Sequence, residues 1–164
     1  MNEAKSVSSH TTPRLYSFGG TAAIVTSVGL IVGFGAAAVS RATIVSGLVI
    51  IALADNISDS LSIHIYQESE NLEARAAFRA TLTNFIARLA VSMSFVAIVL
   101  LTPPSAIVVA SLAWGVLLLG ALTHGVARLR NVSPGREMLK HIVVALAVVA
   151  ASRMIGGWTA ANVR

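Results

Sequence analysis

The sequence predicts an all-α polytopic membrane protein with five transmembrane helices, and three observations carry that reading. Of the 164 residues, 55% are hydrophobic and 12% are charged, with a mean hydropathy of +0.79, whereas a soluble domain carries about 25% charged residues. Five apolar runs occupy residues 18–39, 43–65, 80–101, 106–127 and 139–158, each close to the roughly 20 residues that cross a hydrocarbon core as a helix. Lys and Arg gather at those ends of the runs that an alternating path places on one side.

The 12 Lys+Arg against 7 Asp+Glu leave a net charge of +5. On a membrane chain that excess is a topology signal, and no basic helix with interleaved aromatics points to nucleic acid. Five spans put Lys5, Arg14, Arg75, Arg79, Arg128, Arg130, Arg136 and Lys140 on one side and only Arg41 and Arg164 on the other. The N-terminus is therefore expected in the cytoplasm and the C-terminus outside, so that a reporter fused after Arg164 reads as extracytoplasmic. There is no cysteine, which excludes disulfides and thiolate metal sites and leaves oxygen, imidazole or thioether ligands for any metal.

Residues 1–16 are a polar tail without apolar period, expected to be disordered, and no charged region leads into a short apolar core as in a cleavable signal. The first span is rich in small residues, and its Gly29-Leu30-Ile31-Val32-Gly33 is a GxxxG that lets helices approach closely. Gly29 and Gly33, with Gly35, are candidate homodimer contacts, and close packing inside the monomer is an equally open reading. Ser40 and Arg41 turn the chain into the second span. Between the second and third spans lies a polar linker, residues 66–79, in which Glu68, Glu70 and Glu73 precede Arg75 and Arg79. These acids either bind cations weakly at the membrane surface or pair with the arginines on a solvated helix extension.

Pro103-Pro104 ends the third span, Pro134-Gly135 lies in the loop at 128–137, and Trp158 stands where an interfacial aromatic belongs. Residues 159–164 form a tail. The whole is a single transmembrane domain over 17–158, with no internal repeat.

The second span carries the chemistry. Asp55, Ser58, Asp59, Ser62 and Tyr66 fall at spacings of 0, 3, 4, 7 and 11, one stripe on a helix, and Asn56, Ser60 and His64 make a second row. One carboxylate in a bilayer costs roughly 2.5–3.5 kcal/mol on insertion scales, so two on one face imply a protein-lined or wet cavity. At about 1.5 Å per residue, Asp59 lies on the order of 9 Å deep and Asp55 about 15 Å, with Arg88 of the third span between them at about 12 Å.

Arg88 shares a face with Thr81, Asn84 and Ser92, and it is expected to face Asp55 or Asp59. Two acids against one base leave a spare negative charge, hence a cation or proton site at Asp55, Asp59, Ser58 and Ser62, with Arg88, His64 and Asn84 as coupling or ion-pair partners. The competing reading is an ion pair that only fixes helix register. No Ser/His pair, HExxH or paired-aspartate motif indicates an enzyme.

With these residues in place, the second span resembles the second helix of the vacuolar iron transporter family, five-helix dimeric exporters of ferrous and related divalent ions. The family's run is approximately Ala-Asp-Ala-x-Ser-Met-Gly-x-Gly-Glu-Tyr-x-Ser. This chain has Ala54-Asp55-Asn56-Ile57-Ser58-Asp59-Ser60-Leu61-Ser62-Ile63-His64-Ile65-Tyr66. Gly120-Ala121-Leu122, the basic run from 128 to 130, the small-residue first helix and Gly156-Gly157 are similar as well. The likeness covers about 17–158 and is concentrated in 54–70.

There are departures: Gly19-Gly20 stands where the family has Asp-Gly, Asp59 replaces a methionine ligand and Ile63 a glutamate, and the metal-binding helices between the second and third spans are reduced to 66–79. Asp55 and Ser58 carry over residue by residue. The resemblance implies a homodimeric, proton-coupled antiporter of a divalent cation, iron or manganese, in which the metal is cargo and no cofactor is needed. A carboxylate in place of a thioether shifts the preference toward harder ions such as Mn²⁺. The compact chain without an organelle signal fits a prokaryotic plasma (inner) membrane. The missing acid and helices support the alternative, a transport-inactive relative with an interaction or regulatory role.

Overall fold

The computed structural model describes residues 3–69, 74–129 and 134–163. It consists of helices α1 (Glu3–Ala36), α2 (Arg41–Ser69), α3 (Ala74–Leu101), α4 (Ile107–Leu129) and α5 (Pro134–Asn162), with a 3₁₀ turn at Pro104–Ala106, and the described residues include no strand. Five segments are long and apolar enough to cross a membrane: Gly19–Ala36, Arg41–Tyr66, Phe78–Leu101, Pro104–Arg128 and Met138–Asn162. The chain is therefore an all-α integral membrane protein with the five spans that hydropathy predicts. Helix also runs back through the polar segment as far as Glu3, where composition alone predicts no regular structure. Extending a formed helix costs far less than nucleating one, so the apolar span can carry its polar flank along.

α1 is the central helix. It packs against all four others, α5 rests mainly on α1, and α2 packs most extensively on α3. Half of the α1 span is buried, whereas Gly156 is the one buried residue among those described in the α5 span. Small side chains make this centre possible. A Cβ on Gly29 would lie 2.9 Å from Val148 Cγ1 and 3.1 Å from Ser152 Oγ, one on Gly33 would lie 3.3 Å from the Ser152 carbonyl oxygen, and one on Gly156 would strike the Gly33 carbonyl oxygen. The GxxxG of α1 thus meets Ser152-xxx-Gly156 of α5 at backbone contact distance, the geometry small-xxx-small pairs provide. Gly29 and Gly33 are thus used in close packing inside the monomer, one of the two readings that their spacing leaves open. Gly35, at the exposed end of α1, sits against Val108.

The connections have clear local causes. α1 ends in a Schellman motif, in which Val39 N–H donates to the Phe34 carbonyl and Ala38 N–H to the Gly35 carbonyl, with Ala38 at φ 54° in the left-handed position. Ser40 then caps α2, its Oγ accepting from Thr43 N–H at 3.2 Å. Arg41 reaches across to the end of α3, donating to the carbonyls of Leu100 (3.1 Å) and Thr102 (2.7 Å), which satisfies acceptors the helix leaves free before Pro103. Outward-facing Ile50, Ile57, Leu61, Ile86, Val116, Leu146 and Ile155 present an apolar surface, as lipid requires.

Candidate functional site

The inward row of α2 is Ile44, Leu48, Ala52 and Asn56, each four residues on from the last and each buried. That of α3 is Asn84, Arg88, Ser92, Phe95 and Val99. Both rows are apolar at the end of the bundle holding the α1–α2 turn and polar toward the end holding Gly19. There, against α1, the two polar stretches face each other.

Arg88 pairs with Asp59 across the α2–α3 interface; the guanidinium side chain is 4% exposed and the carboxylate 40%. Of the two acids expected to face Arg88, the structure thus selects Asp59. Asn56 Nδ2 donates to the Phe85 carbonyl oxygen at 3.1 Å. Several buried polar atoms have no partner: Asn56 Oδ1, Ser60 Oγ, Arg88 Nε, and both amide atoms of Asn84. Each such atom costs roughly 1–3 kcal/mol, so packing alone does not account for this concentration of them.

Beside these atoms lies a cavity of ≈ 10 Å³ whose polar lining is Thr26 and Ser27 of α1, Asp55 and Asn56 of α2, and Arg88 and Ser92 of α3. Its size is about that of one water molecule, room for a single dehydrated ion. Arg88 neutralises Asp59, so Asp55 is the one uncompensated charge lining it among the described residues. The rest of the lining is aliphatic, and the candidate ligands at the cavity, the Asp55 carboxylate with the hydroxyl and amide oxygens beside it, are hard oxygen donors.

The structure separates the residues expected to bind metal. Asp55 lines the cavity and Asp59 is held by Arg88. Ser58 and Ser62 are exposed on the outer side of α2, where Ser62 Oγ donates to the Ser58 carbonyl at 3.0 Å. Neither serine lines the cavity beside Asp55. A serine hydroxyl can satisfy itself on its own helix backbone, so its presence in a span does not fix which face is buried. The protein-facing row is the second one, through Asn56 and the partly buried Ser60 and His64, and His64 has an interaction of its own.

Asn84 is buried against Gly19, where a Cβ would collide with its Oδ1. Glu70, Glu73 and the side chain of Glu68 lie outside the described residues. Among the described residues no three His, Asp or Glu side chains come together as a metal cluster. Thr26 and Ser27 were not expected at the site; the signal for them is that they form the one adjacent pair of hydroxyl residues in the first span. No protein-family model, curated protein or solved structure matches the chain.

Proposed function

We propose that the chain is a membrane transporter that passes a small inorganic cation through the cavity beside Asp55 in exchange for protons, with a divalent metal ion, manganese or iron, as cargo. The observation that carries this reading is an uncompensated carboxylate lining a small cavity within the helix bundle, since intramembrane carboxylates are costly and are kept where ions or protons pass. A proton and a cation compete for the same carboxylate oxygens, so loading one releases the other. The resemblance to the vacuolar iron transporter family supports the divalent cargo, and candidate ligands that are oxygens without a thioether favour manganese over iron.

The excess of Lys and Arg at the end holding Gly19 supports a cytoplasmic placement of that end in a prokaryotic plasma membrane. A homodimer, which the resemblance implies, would cover the face of α2 where Ser58, Ser62 and the 40%-exposed Asp59 otherwise meet lipid.

A transport-inactive protein with an interaction or regulatory role is the second reading, favoured by the Arg88–Asp59 pair, which occupies one of the two carboxylates. Flux into liposomes carrying the purified protein separates the two. The transport reading expects Mn²⁺ accumulation driven by a pH gradient and its loss to the level of protein-free vesicles in Asp55→Asn. Folded wild-type protein that moves neither Mn²⁺ nor Fe²⁺ would establish the inactive reading.

A further inference from the structure

Among the described residues, Arg88 is the one buried charged side chain. Its pairing with Asp59 uses one end of the guanidinium, while Nε faces no acceptor. One turn earlier on α3, Asn84 is buried as completely, and neither its amide oxygen nor its nitrogen has a partner. At a spacing of four the two side chains are neighbours on one helix face. Both converge on Gly19: a Cβ there would collide with Asn84 Oδ1 and lie 3.0 Å from Arg88 Cγ. Glycine at that position therefore keeps open the space the two side chains share.

We propose that Arg88 is a resident counter-cation with two seats, Asp59 when the site is unloaded and Asn84 Oδ1 when a divalent ion is bound, and that it thereby sets the charge the site offers its cargo. The inference rests on the cation-transport reading and names the residues that would govern its selectivity. With the pair closed, the cavity presents the single negative charge of Asp55, too little to balance a divalent ion in a low-dielectric setting. Moving the guanidinium one turn along α3 frees Asp59 as the second carboxylate and gives Arg88 an acceptor that has no other partner. The return of Arg88 to Asp59 expels the ion. Arg88 is thus a positioning and specificity-determining residue, in competition with the cargo.

Mn²⁺ affinity and Mn²⁺ flux, measured on the full chain in liposomes, test the two seats. Arg88→Gln removes the competitor, so affinity should rise by about tenfold or more, as expected from deleting a like charge near the ion, while turnover falls because nothing displaces the ion. Asn84→Ala removes the second seat and should lower affinity by about tenfold. A general loss of folding does not produce opposite signs.

Affinity equal to wild type in both variants, or lowered in both, overturns the two-seat proposal. Asn84→Ala leaves every charge and the ion pair in place, so it alone decides where Arg88→Gln does not fold: unchanged affinity in that variant overturns the proposal. A wild-type chain that neither binds nor moves Mn²⁺ or Fe²⁺ removes this proposal together with the transport reading, whereas a transporting wild type with unaffected variants removes this proposal alone.

Discussion

The two halves of the α1–α2–α3 interface are built from the same helical rows and solve burial in opposite ways. Toward the α1–α2 turn, Ile31, Leu48, Phe95 and Val99 are all 2% exposed or less and close the interface with hydrocarbon alone. Toward Gly19, the continuation of those rows brings in Asn56, Asn84, Arg88 and Ser92, also buried, where Asn56 Oδ1, both amide atoms of Asn84, Arg88 Nε and the neighbouring Ser60 Oγ have no hydrogen-bond partner. Lipid offers little hydrophobic gain for either arrangement, so close packing must hold the first half together. The second half leaves hydrogen bonds unmade, which stability does not reward. On the proposed transport reading, the apolar half is the seal and the polar half the site, with cation entry to Asp55 from the Gly19 end.

The largest expected effect breaks the sealed half. Gly156 lies against the Gly33 carbonyl and Gly33 against the backbone of Ser152, so a side chain at 156 meets backbone that has nowhere to retreat. Gly156→Leu should cost about 3 kcal/mol or more, the upper range of overpacking, and lower the melting temperature in detergent by about 10 °C. An unchanged melting temperature would mean that α5 does not seat on α1 through this seam.

That seam also shows what the sequence could and could not disclose. The five spans were legible because a bilayer demands runs of about 20 apolar residues, and the α3 row through Asn84, Arg88 and Ser92 was legible because long polar side chains in a span must turn inward. The partner of Gly29 and Gly33 was not, since a GxxxG motif announces close approach without naming the helix approached. Its complement, Ser152-xxx-Gly156, was nonetheless present. On α2 the polar stripe through Ser58 and Ser62 looked inward, but serine satisfies itself on its own helix. Burial there follows the row from Ile44 to Asn56, which mixes apolar and polar residues and has no compositional mark.

A paired comparison of truncations tests the contrast between the halves directly. Phe95→Ala removes a fully buried ring; with about 100 Å³ vacated at about 24 cal/mol per Å³, the cavity term is about 2 kcal/mol, and lipid adds little transfer cost. Asn84→Ala deletes an amide whose two polar atoms have no partner, so its lost contacts are offset by relief of an unsatisfied group and stability should change by less than about 1 kcal/mol. Equal losses in the two variants, measured by thermal unfolding in the same detergent, would mean that the polar half is packed for stability after all.

The smallest expected effect concerns the polar tie in the helix layer next to Phe95. Trp114 Nε1 on α4 donates to Ser94 Oγ on α3 at 2.9 Å, and Ser94 Oγ donates in turn to the Val91 carbonyl at 2.6 Å. Trp114→Phe leaves Ser94 with its backbone acceptor, so no buried group is orphaned and only the interhelical bond itself is lost. Such bonds between membrane helices average about 0.6 kcal/mol and reach about 1.7. A double-mutant cycle between Trp114→Phe and Ser94→Ala isolates that bond from the change in ring size, and a coupling near the average is expected. Coupling well above that range would show that the sealed half depends on polar ties as strongly as on packing, and the division of the bundle into an apolar seal and a polar site would fail there.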